Sequence, residues 1–188
     1  MKRFPERQNV QKVILLFGFL FLLWGAARTE GRLDAVTRAA SEEDIREAVL
    51  RYQMEDWIRN GDKGEAEAKD QTEKEIAHHL NFKIFFIETN EKDPTDDFMK
   101  RFHDIPRILK KSSGAEIAKV MRMPVVDKET QERGIIFSAD RVRWQGKNHV
   151  KVAGGYHCDG LCGAGFTFEV RFENGKWMVK KERMNWIS

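Results

Sequence analysis

From Gly134 to Ser188 apolar residues recur at every second position, in four runs separated by short polar or glycine-bearing breaks. That period predicts four successive antiparallel strands with one apolar face. Asn174-Gly175 suits a type I′ hairpin turn, and Cys158-Asp-Gly-Leu-Cys162 can be closed by its own cysteines. If Cys158 faces Cys162, then Tyr156 meets Ala164, Gly154 meets Phe166, Val152 meets Phe168 and Val150 meets Val170. The opposite face pairs Lys151 with Glu169 and Ala153 with Thr167. A slip of one residue would destroy this partition, which makes the register specific. The Asn174-Gly175 turn sets Phe172 against Trp177, Val170 against Val179, Glu173 against Lys176 and Glu169 against Lys180. A three-residue Gly146-Lys147-Asn148 loop aligns Trp144 with Val150 and Val142 with Val152.

Stacked in this register, the inner face begins with two apolar rows: Trp144, Val150, Val170, Val179, then Val142, Val152, Phe168, Lys181. It turns polar further along, where Asp140, Gly154, Phe166 and Arg183 share a row and Ser138, Tyr156 and Ala164 follow. Apolar walls with a few convergent polar groups suit a small-molecule pocket, so Ser138, Asp140, Tyr156, Lys181 and Arg183 are the candidate ligand-binding residues. Bulges at Gly154-Gly155 or Lys180-Lys181 give the alternative. A bulge near Lys181 turns Lys181 and Arg183 outward and brings Met184 and Trp186 inward as plain core.

Upstream, Ser41 with Asp44 resembles a helix start, and Ile45, Ala48, Val49 and Tyr52 recur at helical spacing to about Trp57. Asn60-Gly61 interrupts that pattern. Residues 64–79 favour helix but carry almost no apolar stripe, so they form an exposed second helix or an irregular segment. Phe82 to Thr89 is aromatic and β-branched, a strand. Asp93-Pro94-Thr95 opens a short helix with Phe98, Met99 and Phe102, which Pro106 stops. Residues 107–133 are the least legible, with a strand near Glu116–Met121 or Val125–Val126 and a loop over Lys128–Arg133.

Lys2, Arg3, Arg7 and Lys12 precede an apolar run, Val13 to Ala27, that ends on small residues. This fits a secretory signal cleaved after Ala27, with an uncleaved membrane anchor as the alternative. No cysteine lies in the leader, which excludes a lipoprotein anchor. Residues 28–40 read as a tether and 41–188 as one α+β domain. The chain has 33 Lys and Arg against 30 Asp and Glu; residues 1–27 hold four of the basic and one of the acidic side chains, which leaves 29 of each. The charges look interspersed, with no basic stripe, so nucleic acid is not an expected partner. The expected location is extracytoplasmic, periplasmic or secreted, with the membrane touched only through residues 13–27.

Two cysteines in an exported chain most often pair, and a Cys158–Cys162 disulfide is expected at a hairpin tip. Beside His157 they could also ligate a metal, but no second ligand cluster accompanies them, and no metal or cofactor is expected. Catalytic signatures are missing. His78 and His79 lack the i, i+4 spacing of a zincin, and the glycines around Cys162 complete neither a nucleophile elbow nor a dinucleotide loop.

The element order, helix, second helix, strand, helix and a long curved antiparallel sheet, resembles the nuclear transport factor 2-like, or cystatin-like, α+β architecture. That resemblance implies N-terminal helices packed on a curved antiparallel sheet of four to six strands, with a cone between them that often holds a ligand. Ile45-Arg-Glu-Ala-Val, Asp93-Pro-Thr-Asp-Asp-Phe and the ending Gly175-Lys-Trp … Asn185-Trp-Ile-Ser resemble a group of small uncharacterised bacterial exported proteins. Enzymes of the superfold place Asp, His or Tyr inside the cone, where only Asp140 and Tyr156 match here. Fold alone does not fix function. The expected function is a non-enzymatic binding or interaction module of the envelope or periplasm, its partner an unspecified small molecule or protein. The alternatives are a small-molecule binder or enzyme using Asp140, Tyr156 and Arg183, and an inhibitor- or immunity-type partner binder.

Overall fold

The structure, a computed structural model, describes residues 41–64, 66–74 and 81–188. Helix α1 covers residues 41–64. Strands β1 (Ile84–Thr89), β2 (Ile108–Lys111), β5 (Gly134–Gly146), β6 (His149–Asp159), β7 (Cys162–Glu173) and β8 (Lys176–Ile187) form one sheet in the order β2-β1-β5-β6-β7-β8. Helix α2 (Asp96–Lys100) separates β1 from β2, and β3 (Ala115–Ile117) with β4 (Val125–Asp127) makes a small two-stranded sheet. The class is α+β, with one main helix on a six-stranded sheet.

Helix α1 buries Ile45, Val49, Leu50 and Met54 against Phe85, Phe137, Val150, Val152, Phe168 and Val170 of the sheet. Those four helix positions recur at the 3.6-residue period, so one stripe enters the core and the rest stays polar. Salt bridges tie the other flank of the helix to the turn after α2. Asp104 takes both terminal nitrogens of Arg51 at 2.9 Å, and Arg101 reaches Asp44, Glu43 and Glu47 at 2.7–3.1 Å. The helix does not stop at Asn60-Gly61. Its last turn is held by Arg107, which donates to Asp62 at 3.4 Å and to Asn81 at 2.9 Å. Of residues 64–79, residue 64 ends α1 and only 66–67 and 71–74 are otherwise helical among the described residues, and the His78-His79 pair lies outside them.

The sheet is mixed rather than antiparallel throughout. β1 runs parallel to both β2 and β5, so the chain crosses over through α2 and through the β3–β4 segment. β2, Ile108-Leu-Lys-Lys, carries too little alternation to be seen as a strand; it forms because β1 offers it a free edge.

The four C-terminal strands form as their alternation predicts, and the β6–β7 pairing is the predicted one from Val150↔Val170 to Tyr156↔Ala164. Trp144↔Val150, Val142↔Val152, Val170↔Val179, Phe172↔Trp177 and Glu173↔Lys176 also stand. Three bulges then change which face the residues beyond them present. In β5, Asp140 and Arg141 both oppose Ala153, so Ala139 meets Gly154 and Phe137 meets Tyr156. In β8 an extra residue at Lys180 sets Glu169 against Lys181, not Lys180, and brings Glu182 opposite Phe168 and Met184 opposite Phe166. A further shift at Asn185 puts Trp186 opposite Gly165. Lys180 instead pairs with Glu173 at 2.6 Å.

Cys158 and Cys162 form a disulfide across the tip of β6 and β7, their Cα atoms 5.2 Å apart. Asp159, buried beside them, accepts from Leu161 N at 2.8 Å and from Arg133 at 3.3 Å. The pairing of cysteines is consistent with an extracytoplasmic location. No helix among the described residues is long and apolar enough to cross a membrane. The leader and tether predicted over residues 1–40 lie outside the described residues.

Candidate functional site

A groove of ≈ 620 Å³ lies between α1 and the inner face of β5–β8. Its apolar walls are Trp57 from the helix and Phe137, Tyr156, Phe166, Phe168 and Met184 from the sheet. The rings interlock. Trp57 meets Tyr156 edge-on with centroids 4.8 Å apart, Tyr52 meets Phe168 edge-on at 6.1 Å, and Phe166 lies between Tyr156 and Phe168 at 6.1 and 5.7 Å. Edge-to-face contacts of this kind add to burial and fix ring orientation, which leaves ring faces to line the open space.

Among the described residues, the charged groups of the groove are all carboxylates. Asp56, Glu67, Glu73 and Glu182 are its charged residues, and no lysine or arginine among the described residues lines it. Asp56 is occupied by Arg59 and by the Asn60 amide, which donates at 3.0 Å. Glu67 lies 3.8 Å from Lys63, and Glu73 accepts from Lys69 N at 2.7 Å. Glu182 has no cation within ion-pair distance among the described residues. Gln53 donates through Nε2 to the Ser138 carbonyl at 3.0 Å, while its buried Oε1 finds no donor among the described residues. Burial raises the Tyr52 hydroxyl, as do the nearby charges of Glu182 and Asp56. Burial, then Glu182, likewise raises Tyr156. Both phenols therefore stay neutral well above neutral pH.

The five candidate residues do not meet in one pocket. Only Tyr156 places its ring in the groove. Ser138 and Asp140 face the other side of the sheet because the β5 bulge shifts parity, leaving Phe137 and Ala139 inside. Lys181 and Arg183 also face outward, Lys181 opposite Glu169 and Arg183 opposite Thr167. The anticipated Asp140–Arg183 pair is absent. As the bulge alternative requires, Met184 turns inward; Trp186 does not, because the second β8 bulge lays its indole over Gly165 on the outer face.

Glu182, Trp57 and Gln53 were not singled out as site residues from the sequence, and Met184 was expected inward only as core, although a signal exists. The apolar positions Phe137, Ala139, Val142 and Trp144 break period two between 139 and 142. Val179 to Met184 breaks it again across Lys180-Lys181. Two adjacent polar residues between apolar residues of one face require a bulge.

Asp140 has a structural task instead. Its Oδ1 accepts from Glu91 N at 3.4 Å, which steadies the Asn90-Glu91 turn, where both residues have positive φ (53° and 58°). Burial pushes its carboxyl up, against the Ser138 hydrogen bond and the Glu91 amide that favour the charge. With its native value above the unfolded one, the ionised carboxylate carries a penalty that is full at neutral pH and fades as pH falls through the native value. Asp140→Asn is therefore expected to gain stability relative to the parent at neutral pH, and this gain should shrink on acidification. Urea melts of both proteins across the acid range check it; an advantage independent of pH would contradict this account.

Compared with protein-family models, with curated proteins and with solved structures, the chain matches none of them. What the fold and site define is an α+β domain with an aromatic, acceptor-rich groove between helix and sheet.

Proposed function

We propose that this chain is an exported, non-enzymatic binding module whose groove holds a small organic cation with an apolar body. The observation that carries the reading is the sign of the groove: aromatic walls, acceptor groups at Glu182 and Gln53 Oε1, and no basic residue among the described residues. A ligand that satisfies such a site must donate hydrogen bonds and carry positive charge, and ring faces add cation–π attraction worth ~2 kcal/mol when desolvated. Trp57, Tyr156 and Phe166 receive the apolar body, and Glu182 with Tyr52 receives the ammonium. A leader-like N-terminus and the Cys158–Cys162 disulfide support export. The helix across a bulged sheet supports the nuclear transport factor 2-like reading, with the groove standing where a cone would open; the parallel β1 and β2 edge departs from that reading.

An enzymatic reading through Asp140, Tyr156 and Arg183 loses its support, because the sheet lies between Tyr156's ring and the other two side chains.

The test is a thermal-shift and calorimetric comparison of phenethylamine, 2-phenylethanol and 3-phenylpropionate on the full chain. Phenethylammonium is expected to stabilise it most, the neutral alcohol less and the carboxylate least. Glu182→Gln, on a solvent-facing side chain, should lower affinity for the ammonium roughly tenfold through loss of a charge-assisted bond. Equal or tighter binding of the carboxylate would sink the proposal.

A further inference from the structure

The outer face of β5–β8 collects cations that are scattered in the sequence. Arg143 faces Lys151, Lys151 faces Glu169 and Glu169 faces Lys181, so three cations and one acid make a row across four strands. Arg183 stands on the next row opposite Thr167, and Arg141 joins it from the β5 bulge. These side chains border a concavity of ≈ 570 Å³ whose floor includes the short residues Ala153 and Thr167.

Nothing in the fold accounts for this arrangement. Like charges set directly opposite on neighbouring strands, as Arg143 and Lys151 are, weaken a sheet. Glu169 is the one carboxylate of the ring and lies 3.9 Å from Lys151. Arg141, Arg143, Lys181 and Arg183 form no ion pair with any described residue. By contrast Arg46, Arg51, Arg101 and Arg107 each have a carboxylate partner. Arg141, Arg143, Lys181 and Arg183, together with Lys151, gather around one concave face, where field lines focus and an anion would be drawn in.

The span of the site narrows the ligand. Arg143 on β5 and Lys181 on β8 are three strand spacings apart, about 14 Å at the usual inter-strand distance. One phosphate cannot reach both. A flat array of lipid headgroups would touch the rim of the concavity and miss its floor. Single-stranded nucleic acid would want aromatic platforms between the cations, and no aromatic residue among the described residues lines this concavity.

We propose that the outer face binds a linear chain of phosphate groups without bases, laid across β5–β8 with its oxygens held by the guanidinium forks of Arg141, Arg143 and Arg183 and by Lys181. Arginine suits this task because its planar fork takes two phosphate oxygens at once. The site lies on the opposite face of the sheet from the groove and is independent of what the groove binds.

Calorimetry on the full chain with orthophosphate, tripolyphosphate and long-chain inorganic polyphosphate tests it. Affinity is expected to rise in that order and to fall as sodium chloride is added. The double variant Arg143→Glu/Arg183→Glu should lose polyphosphate affinity at least about tenfold, since it reverses two unpaired contact charges. Lys83→Glu/Lys119→Glu, with the same change in net charge elsewhere, should keep it. Should the first variant melt early, Arg141→Gln and Lys181→Gln, which only neutralise, are expected to weaken binding in steps. The proposal is overturned by equal affinity for orthophosphate and polyphosphate, or by undiminished binding in these variants. It is equally overturned by binding to phosphatidylglycerol vesicles without binding to soluble polyphosphate, or by tighter binding of single-stranded DNA of equal charge.

Discussion

Phe137→Ala is expected to remove about 3–5 kcal/mol of stability, the range for deleting a fully buried aromatic side chain. For a domain of this size that is a fall of roughly 10 °C in Tm, measurable by calorimetry or near-ultraviolet dichroism. Phe137 is wholly buried and meets Phe85 edge-on at 5.0 Å and Trp57 at 6.1 Å. Its ring therefore joins the sheet, the parallel strand β1 and helix α1. The same substitution decides between two registers. In an unbulged hairpin Phe137 would sit on the outer face, where truncation costs a few tenths of a kcal/mol at most. A large loss supports the bulge at Asp140-Arg141; a negligible one would return Ser138 and Asp140 to the groove. Because Phe137 also lines the groove, the variant should bind the ammonium probe more weakly even below its melting temperature.

The second large effect falls on a glycine. A Cβ at Gly155 would collide with the Ala164 carbonyl oxygen on the neighbouring strand, and would lie 3.0 Å from Gly165 Cα. Backbone on a paired strand cannot swing aside, so Gly155→Ala is expected to cost about 1–3 kcal/mol or more by overpacking. Gly165, directly opposite, makes the control. The three atoms nearest a Cβ there all belong to the Trp186 indole, a half-exposed ring that can rotate away. Gly165→Ala should leave stability within about 1 kcal/mol while shifting tryptophan fluorescence. If both alanines cost the same, close backbone approach is not the reason for the glycine.

These two expectations rest on different kinds of legibility. The Tyr156↔Ala164 and Val152↔Phe168 pairs could be read from the sequence because both strands alternate cleanly and the loop between them is short. The helix stripe Ile45, Val49 was legible for the same reason, a period long enough to count, and the strand Ile84–Thr89 from its run of aromatic and β-branched residues. β2 was not, because four residues offer no period, and its partner β1 lies twenty-odd residues away. Parallel pairing of β1 with β5 was also hidden, since nothing local distinguishes a crossover from a hairpin between distant runs.

The candidate site failed at the bulges. From the turns as far as Val142 and Val179 the inferred rows are those of the structure. Beyond them one inserted residue in each strand exchanges the faces. The exchange replaces Asp140 and Ser138 by Ala139 and Phe137, and Lys181 and Arg183 by Glu182 and Met184. A pocket expected to be cationic becomes acidic, and the cations reappear together on the far side. The charge pattern that looked interspersed along the chain is segregated in space for this reason. Alternation sends neighbouring residues to opposite faces, and three hairpins bring the outward set from four strands side by side.

The sequence alone determined the α+β class, the four C-terminal strands, their register near the turns and the cysteine pair at the hairpin tip. All of these follow from local period and short loops. Tertiary structure decided the rest: which face each residue beyond a bulge presents, the parallel edge, the acidic groove under α1 and the basic concavity behind it. A bulge costs only one unpaired residue, and the position of the β5 bulge is chosen by the packing of Phe137 against the helix side of the sheet. That is a contact between distant segments, which no local pattern in either strand records.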